Sequence, residues 1–211
     1  MSPISDLVPV RVRRARPCPL PHPPLRSDDG THQLAIKTSR IMSALFFSSF
    51  DVTRQAFYRS GLAAAIVNLK PIVPGHVLVI PTRVVPRFAD LEQDELASLM
   101  ASVQHVGRVI ERVYGADGLT IACQDGKAAG QTVPHLHFHL LPRKIQGDAF
   151  ARNDDVYPAL ERFEGGLVDN LRRVPQPLQV DADEDRKPRT LEDMEKEALW
   201  LKTFFDPVEG S

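Results

Sequence analysis

The ten residues PHLHFHLLPR at 134–143 constrain this chain more than any other stretch. His135, His137 and His139 alternate with Leu136, Phe138 and Leu140, the period of two that marks a β-strand with one polar and one apolar face. Alternate residues of a strand lie about 6.6 Å apart, so the three imidazoles are expected in one row. Pro134 and Pro142 bracket the run, at positions where a strand can do without a backbone N–H. Three adjacent imidazolium charges would repel one another, so at least some of the rings stay neutral near pH 7. A neutral imidazole can act as a nucleophile, a base or a metal ligand. By itself the row leaves three readings open: an exposed polar strand face, a zinc site completed by His76 or Asp125, and a catalytic site.

Composition narrows the setting. A chain of 211 residues suits one globular domain with accessory segments. Its formal net charge of −1 provides no global basic field for a nucleic-acid backbone, so no nucleic-acid partner is expected. No window approaches 18 uninterrupted apolar residues, so no membrane span is expected either. The two cysteines, Cys18 and Cys123, occupy unrelated contexts and do not read as a disulfide framework. A reducing interior, cytoplasmic or nuclear, fits them. Cys123 lies in the apolar run LTIAC and reads as a small buried hydrophobe.

Taken in order, residues 1–41 combine seven prolines with arginines at 11, 13, 14, 16 and 26 and have little apolar periodicity. Such a segment is expected to be disordered, or an extension ahead of a start at Met42. Its arginines suit a mitochondrial presequence, but its prolines break the helix a presequence needs. Folded character starts at Ala44–Phe50. Leu62–Asn68 and His76–Pro81 read as strands around a turn held by Pro71, Pro74 and Gly75. Asp90 is expected to cap a long helix with Gln93 as its capping-box partner. Leu91, Leu96, Leu99, Val103, Val106 and Ile110 supply that helix's apolar stripe, and Gly115 its stop. Leu119–Gln124 reads as a strand antiparallel to the histidine run, which would bring Gln124 and the loop after it beside the row. Residues 161–190, with Gly165, Gly166, Pro175, Pro177 and the acidic DADED run, read as a solvated linker. A last helix is expected over Leu191–Phe205, capped by Thr190 with Asp193. Together these elements make an α+β domain: a mostly antiparallel sheet, one long helix and a C-terminal helix.

The row HLHFHLL resembles the signature of the histidine triad superfamily. The segments NLKPIVPGHVLVIP (68–81), RFADLEQDE (87–95), QDGKAAGQTV (124–133), LPRK (141–144) and RNDDVY (152–157) are similar to its fragile histidine triad (Fhit) branch. The resemblance covers residues 44–160 and implies a metal-free nucleophilic site. It implies His137 as the nucleophile that becomes nucleotidylated, and His139 as hydrogen-bond partner of phosphate or leaving-group oxygen. His135 and His76 would orient these rings. It further implies Gln124 for the substrate phosphates, Asn68 for the ribose, and Gly130, Gln131, Thr132 and Val133 as the phosphate-holding loop. Histidine at 139, where the uridylyltransferase branch carries glutamine, favours hydrolysis over transfer. The cysteines cannot supply the zinc finger of the aprataxin branch. The activity implied is hydrolysis of dinucleoside polyphosphates, diadenosine triphosphate first, to AMP and ADP. No protein-bound cofactor is implied, only Mg²⁺ accompanying the substrate phosphates, and the protein is expected to be a homodimer. A nucleoside phosphoramidase or AMP-lysine hydrolase, and a nucleotide-binding signalling module of slow turnover, are the alternatives.

Overall fold

The computed structural model describes residues 43–173 and 189–205. The expectations for residues 1–41 and for the acidic stretch up to 188 therefore lie largely outside the described residues.

A short hairpin opens the fold: β1 (Phe46–Phe47) and β2 (Phe50–Asp51), joined through Ser48 at φ 57°. Five further strands form one antiparallel sheet: β3 (Ala56–Arg59), β4 (Ala63–Val67), β5 (Val77–Pro81), β6 (Gly118–Ala122) and β7 (Phe138–Arg143). Their order is β3-β4-β5-β7-β6. The small, branched run of β4 is buried on both faces, as a central strand requires. Helices α1 (Gln93–Val113), α2 (Val156–Arg173) and α3 (Leu191–Lys202) cover the sheet.

Alternation along β4 assigns the two faces. Ala63, Ala65 and Val67 pack with Leu99, Val103, Val106 and Ile110 of α1 and with Met194, Ala198 and Leu201 of α3. Ala64 and Ile66 face the other way, toward Leu45 and Phe47 of the first hairpin and toward α2. Helix α1 approaches the sheet closely at Gly107, where an added Cβ would lie 2.9 Å from a methyl of Leu119.

Three expectations need correction. The long helix is capped by Glu92 in a reciprocal box with Glu95, not by Asp90 with Gln93, because Phe88–Asp90 forms a 3-10 turn that closes before the helix begins. Glu95 is also gripped by Arg83 through two hydrogen bonds of 2.7 and 2.6 Å, which anchors the first helical turn. The histidine strand is shorter than expected. Ladder pairing begins at Phe138, and His135 and His137 lie in the approach to it, although Leu136, Phe138 and Leu140 keep to the α1 face. The third correction is the largest. Residues 161–173, expected in a linker, are helical and complete α2. Its apolar residues Val156, Ala159, Leu160, Phe163, Leu167 and Leu171 recur three or four positions apart and are buried.

The remaining elements match the pattern. Gly115 adopts φ 59° directly after the long helix, and α3 carries the Thr190–Asp193 capping box. Among the described residues no helix is long and apolar enough to cross a membrane.

Candidate active site

The pairings Leu78↔His139 and Ala122↔His139 bring β5, β7 and β6 together at one point of the sheet. Continuing the second register by two residues sets Gln124 opposite His137. His76, at the start of β5, and Asn68, at the end of β4, face each other across the turn between those strands. All five of His76, His135, His137, His139 and Asn68 are buried, none more than 2% exposed.

Backbone partners fix the proton on three of the rings, and His76 fixes it on the fourth. The Ile72 N–H donates to His76 Nδ1 at 3.2 Å, so His76 carries its proton on Nε2. That Nε2–H donates to His139 Nδ1 at 3.0 Å, leaving the proton of His139 on its own Nε2. The Ser48 N–H donates to His135 Nδ1 at 2.9 Å, and His135 Nε2–H donates to the Pro81 carbonyl at 3.0 Å. His137 Nδ1–H donates to the carbonyl of His135 at 2.8 Å. In its neutral form His137 therefore presents the lone pair of Nε2. Burial pushes His135 and His139 down to about 4, so both are neutral at pH 7. Phe47 buttresses the row, with its ring edge-on to His137 at 5.2 Å.

Opposite these nitrogens lies a residue that the sequence reading passed over. Glu164 of α2 is 1% exposed, with Oε1 2.6 Å from His137 Nε2 and 3.3 Å from His139 Nε2. Its other oxygen accepts from the Thr132 N–H at 3.2 Å and from Thr132 Oγ1 at 2.9 Å. Thr132 Oγ1 also lies 2.7 Å from the Glu164 carbonyl oxygen, to which it can donate. Burial alone would raise this carboxyl, but its close contacts with His137 and His139 outweigh that and hold Glu164 well below the usual carboxylate range. A neutral His137 would set a lone pair against a carboxylate at 2.6 Å, so a proton lies between them. Phe163, the preceding residue of α2, packs its ring on His76 at 5.3 Å and on His139 at 5.5 Å.

Of the expected phosphate loop, Thr132 alone is seen to direct donors at this carboxylate. Gly130 takes φ 94° and lets Gln124 approach, since a Cβ there would sit 3.4 Å from Gln124 Nε2. Gln131 holds the loop itself: its Oε1 accepts from the Gly126 N–H and its Nε2 donates to the Pro86 carbonyl, both at 2.9 Å. The Val133 side chain is core. Asn68 lies against the His76 ring, its amide nitrogen 3.2 Å from Nε2. Asp125, weighed as a metal ligand, is turned away to Arg87, which binds it through two hydrogen bonds. Burial raises Cys123 to about 11, as befits a packed thiol.

His137, His139 and Glu164 form a metal-capable set, with donor atoms all within 4.8 Å of one another. Two ligands on one tetrahedral zinc lie about 3.3 Å apart, from Zn–N bonds of about 2.0 Å. The 2.6 Å contact between His137 and Glu164 is shorter and has the length of a charge-assisted hydrogen bond.

An antiparallel α+β domain that turns Nε2 of two buried imidazoles toward one carboxylate-filled pocket defines a histidine-centred enzyme domain. The chain belongs to the HIT domain family, whose model matches residues 49–146. It is 54% identical over 173 residues to the asymmetrical bis(5'-nucleosyl)-tetraphosphatase of Schizosaccharomyces pombe, covering 76% of this chain and 94% of that one. It is 43% identical over 171 residues to the bifunctional bis(5'-adenosyl)-triphosphatase/adenylylsulfatase of Arabidopsis thaliana, covering 81% of this chain and 89% of that one. The crystal structure of C. elegans NitFhit superposes with a TM-score of 0.56 at 33% identity, covering 77% of this chain but 30% of that longer one.

Proposed function

We propose that this chain hydrolyses dinucleoside polyphosphates through a nucleotidyl intermediate on His137. Diadenosine triphosphate is the first substrate to expect and the tetraphosphate the second, since the relatives carry both names. One observation carries the reading: His137 Nδ1–H donates to the His135 carbonyl, which leaves Nε2 as the ring atom that faces the pocket, where it meets the Glu164 carboxylate.

The steps balance as follows. His137 Nε2 attacks the α-phosphorus, the P–N bond forms, and the bond to the bridging oxygen breaks. The departing nucleotide takes a proton, for which the Nε2–H of His139 is the nearest source. The Thr132 N–H and hydroxyl receive the equatorial oxygens, stabilising charge without a lysine. Water then attacks the phosphorus and passes a proton to His139 Nε2, the P–N bond breaks, and AMP leaves with His137 and His139 both restored. Asn68 serves the ribose and Gln124 the phosphates. Gly130, Gln131 and Val133 shape the loop around Thr132. Mg²⁺ accompanies the substrate phosphates. Two copies are proposed to pair through their sheets, an idea supported by the unpaired edge of β6 and its half-exposed Ile121.

Chromatography of products from the adenosine di-, tri-, tetra- and pentaphosphate dinucleotides in ¹⁸O-water tests the reading. AMP should carry the label, with ADP released from the triphosphate and ATP from the tetraphosphate. Label confined to the other product would remove His137 from the role of nucleophile on the AMP side.

A further inference from the structure

We propose that α2 is a built-in plug, with Glu164 standing in the phosphate position, so that the enzyme rests closed and substrate must displace the helix. The inference rests on the reading of His137 as the nucleophile. One acidic side chain occupies the Thr132 N–H, Thr132 Oγ1 and His137 Nε2, three groups suited to a phosphate oxygen, and lies 3.3 Å from a fourth, His139 Nε2, without satisfying it. A carboxylate at 2.6 Å takes the nucleophilic lone pair out of use by setting a proton on it. With the imidazoles 0–1% exposed, no phosphorus centre reaches Nε2 while α2 is docked.

Two independent features indicate that this closure is made to be broken. The pocket is filled incompletely. Gln124 Oε1 is buried without a hydrogen-bond partner, and the 3.3 Å approach of His139 Nε2 to Glu164 is too poorly aligned to satisfy that nitrogen. A polyphosphate chain bears more oxygens and more total charge than one carboxylate and can engage His139 as well as Thr132. The helix is also weakened directly behind the residue that must let go. Gly165 and Gly166 stand in its interior, where each costs about 1 kcal/mol relative to alanine. Packing does not demand the first of them, since a Cβ at Gly165 would meet nothing within 4 Å.

An enzyme open for only a fraction of the time binds substrate more weakly by that fraction, so a chain open one-tenth of the time loses about tenfold in apparent affinity. Glu164→Gln removes the charge and the shared proton while keeping the shape. Its KM for diadenosine triphosphate should fall several-fold, with kcat unchanged or raised. An unchanged or higher KM would overturn the plug. Hydrogen exchange on the unmodified full-length protein gives a second reading that needs no variant and no turnover. Saturating AMP should deprotect the amides of residues 159–168 and leave those of α3 as they were. Protection of α2 that persists at saturating AMP would overturn the plug, as would stoichiometric zinc retained on His137, His139 and Glu164. Opening by AMP without dinucleotide hydrolysis would defeat the proposed function and leave the plug standing. Hydrolysis with α2 permanently protected and Glu164→Gln silent would do the reverse.

Discussion

Helices α2 and α3 lie on opposite faces of one sheet and bury comparable apolar stripes, yet they are fastened by different means. Helix α3 has a complete capping box and an ion pair between Arg189 and Glu197, and Tyr114 donates to the same Glu197 at 2.7 Å. The residue before its cap is pinned to the turn after β4, where the Arg189 N–H donates to the Leu69 carbonyl at 3.1 Å. Helix α2 carries paired glycines, and its buried polar anchor is a carboxylate set against His137 and His139. Polar fastening at α3 serves the fold alone. At α2 the proposed plug sets the same kind of contact against the substrate, so on that proposal the strength of docking and the ease of catalysis oppose each other.

The largest expected effect removes what α2 covers. His137→Asn should lower kcat on the order of 10⁴-fold or more, with little change in the affinity for AMP, read by single-turnover assay and equilibrium binding. Turnover near that of the unchanged protein would mean that the helix guards something other than the nucleophile.

Next come matched truncations on the two helices. Leu201→Ala in α3 should lower global stability by about 2–5 kcal/mol in denaturant titration, as the loss of a fully buried leucine does. Leu167→Ala in α2 should cost less, because a weakened α2 can undock by itself and cap the penalty at its own docking free energy. It should also lower KM. Equal costs, with no change in KM, would erase the distinction between the helices. Thr190→Ala, which removes only the α3 cap, should cost about 1 kcal/mol.

Acid should act unevenly, with the smallest effect. His135 and His139 are held near 4 by burial, below the ordinary value of about 6.5, so the unfolded chain binds more protons between those limits. Their contribution to stability is complete above about pH 6.5 and is lost as the pH falls toward 4. The melting temperature should drop over that window, and α2 should lose exchange protection before α3, since His139 lies beneath α2 alone. Loss of α3 first would place the acid-sensitive groups elsewhere.

Most of the sheet was legible because its strands carry local signals. The turn at 71–75, the alternation at 135–140 and the 3–4 spacing of the long helix all lie within a dozen residues. His76, Asn68 and Gln124 could be named from the family resemblance, and the structure places the first two, buried, beside the row and the third, half-buried, opposite His137. The start of the histidine strand was misplaced because alternation continues through 135–137, where the side chains still alternate but the ladder has not begun. Glu92 rather than Asp90 became the cap because a neighbouring 3-10 turn, a non-periodic feature, had already used the aspartate's segment.

Helix α2 was missed for a different reason. Gly165, Gly166 and the acidic run beyond them lower local helix preference, and the apolar stripe from Val156 to Leu171 begins before the apparent linker and ends inside it. That stripe could have revealed the helix had it been read across the boundary at 160. Nothing local singles out Glu164 among its neighbouring acids. Its role depends on Thr132, His137 and His139, about thirty residues away in the chain.

The turn before β5 has a consequence beyond its shape. The peptide N–H of Ile72 donates to one nitrogen of His76 and so sets the proton on the other, and that choice passes through His139 to the edge of the pocket. The turn thus works as an address for a proton two hydrogen bonds away. Gly75 sits in it at φ 80°, so close to Tyr114 that a Cβ would lie 2.6 Å from the ring. A shift of that one loop would send the address to the wrong nitrogen and present an acceptor where the leaving oxygen needs a donor, with every histidine still in place.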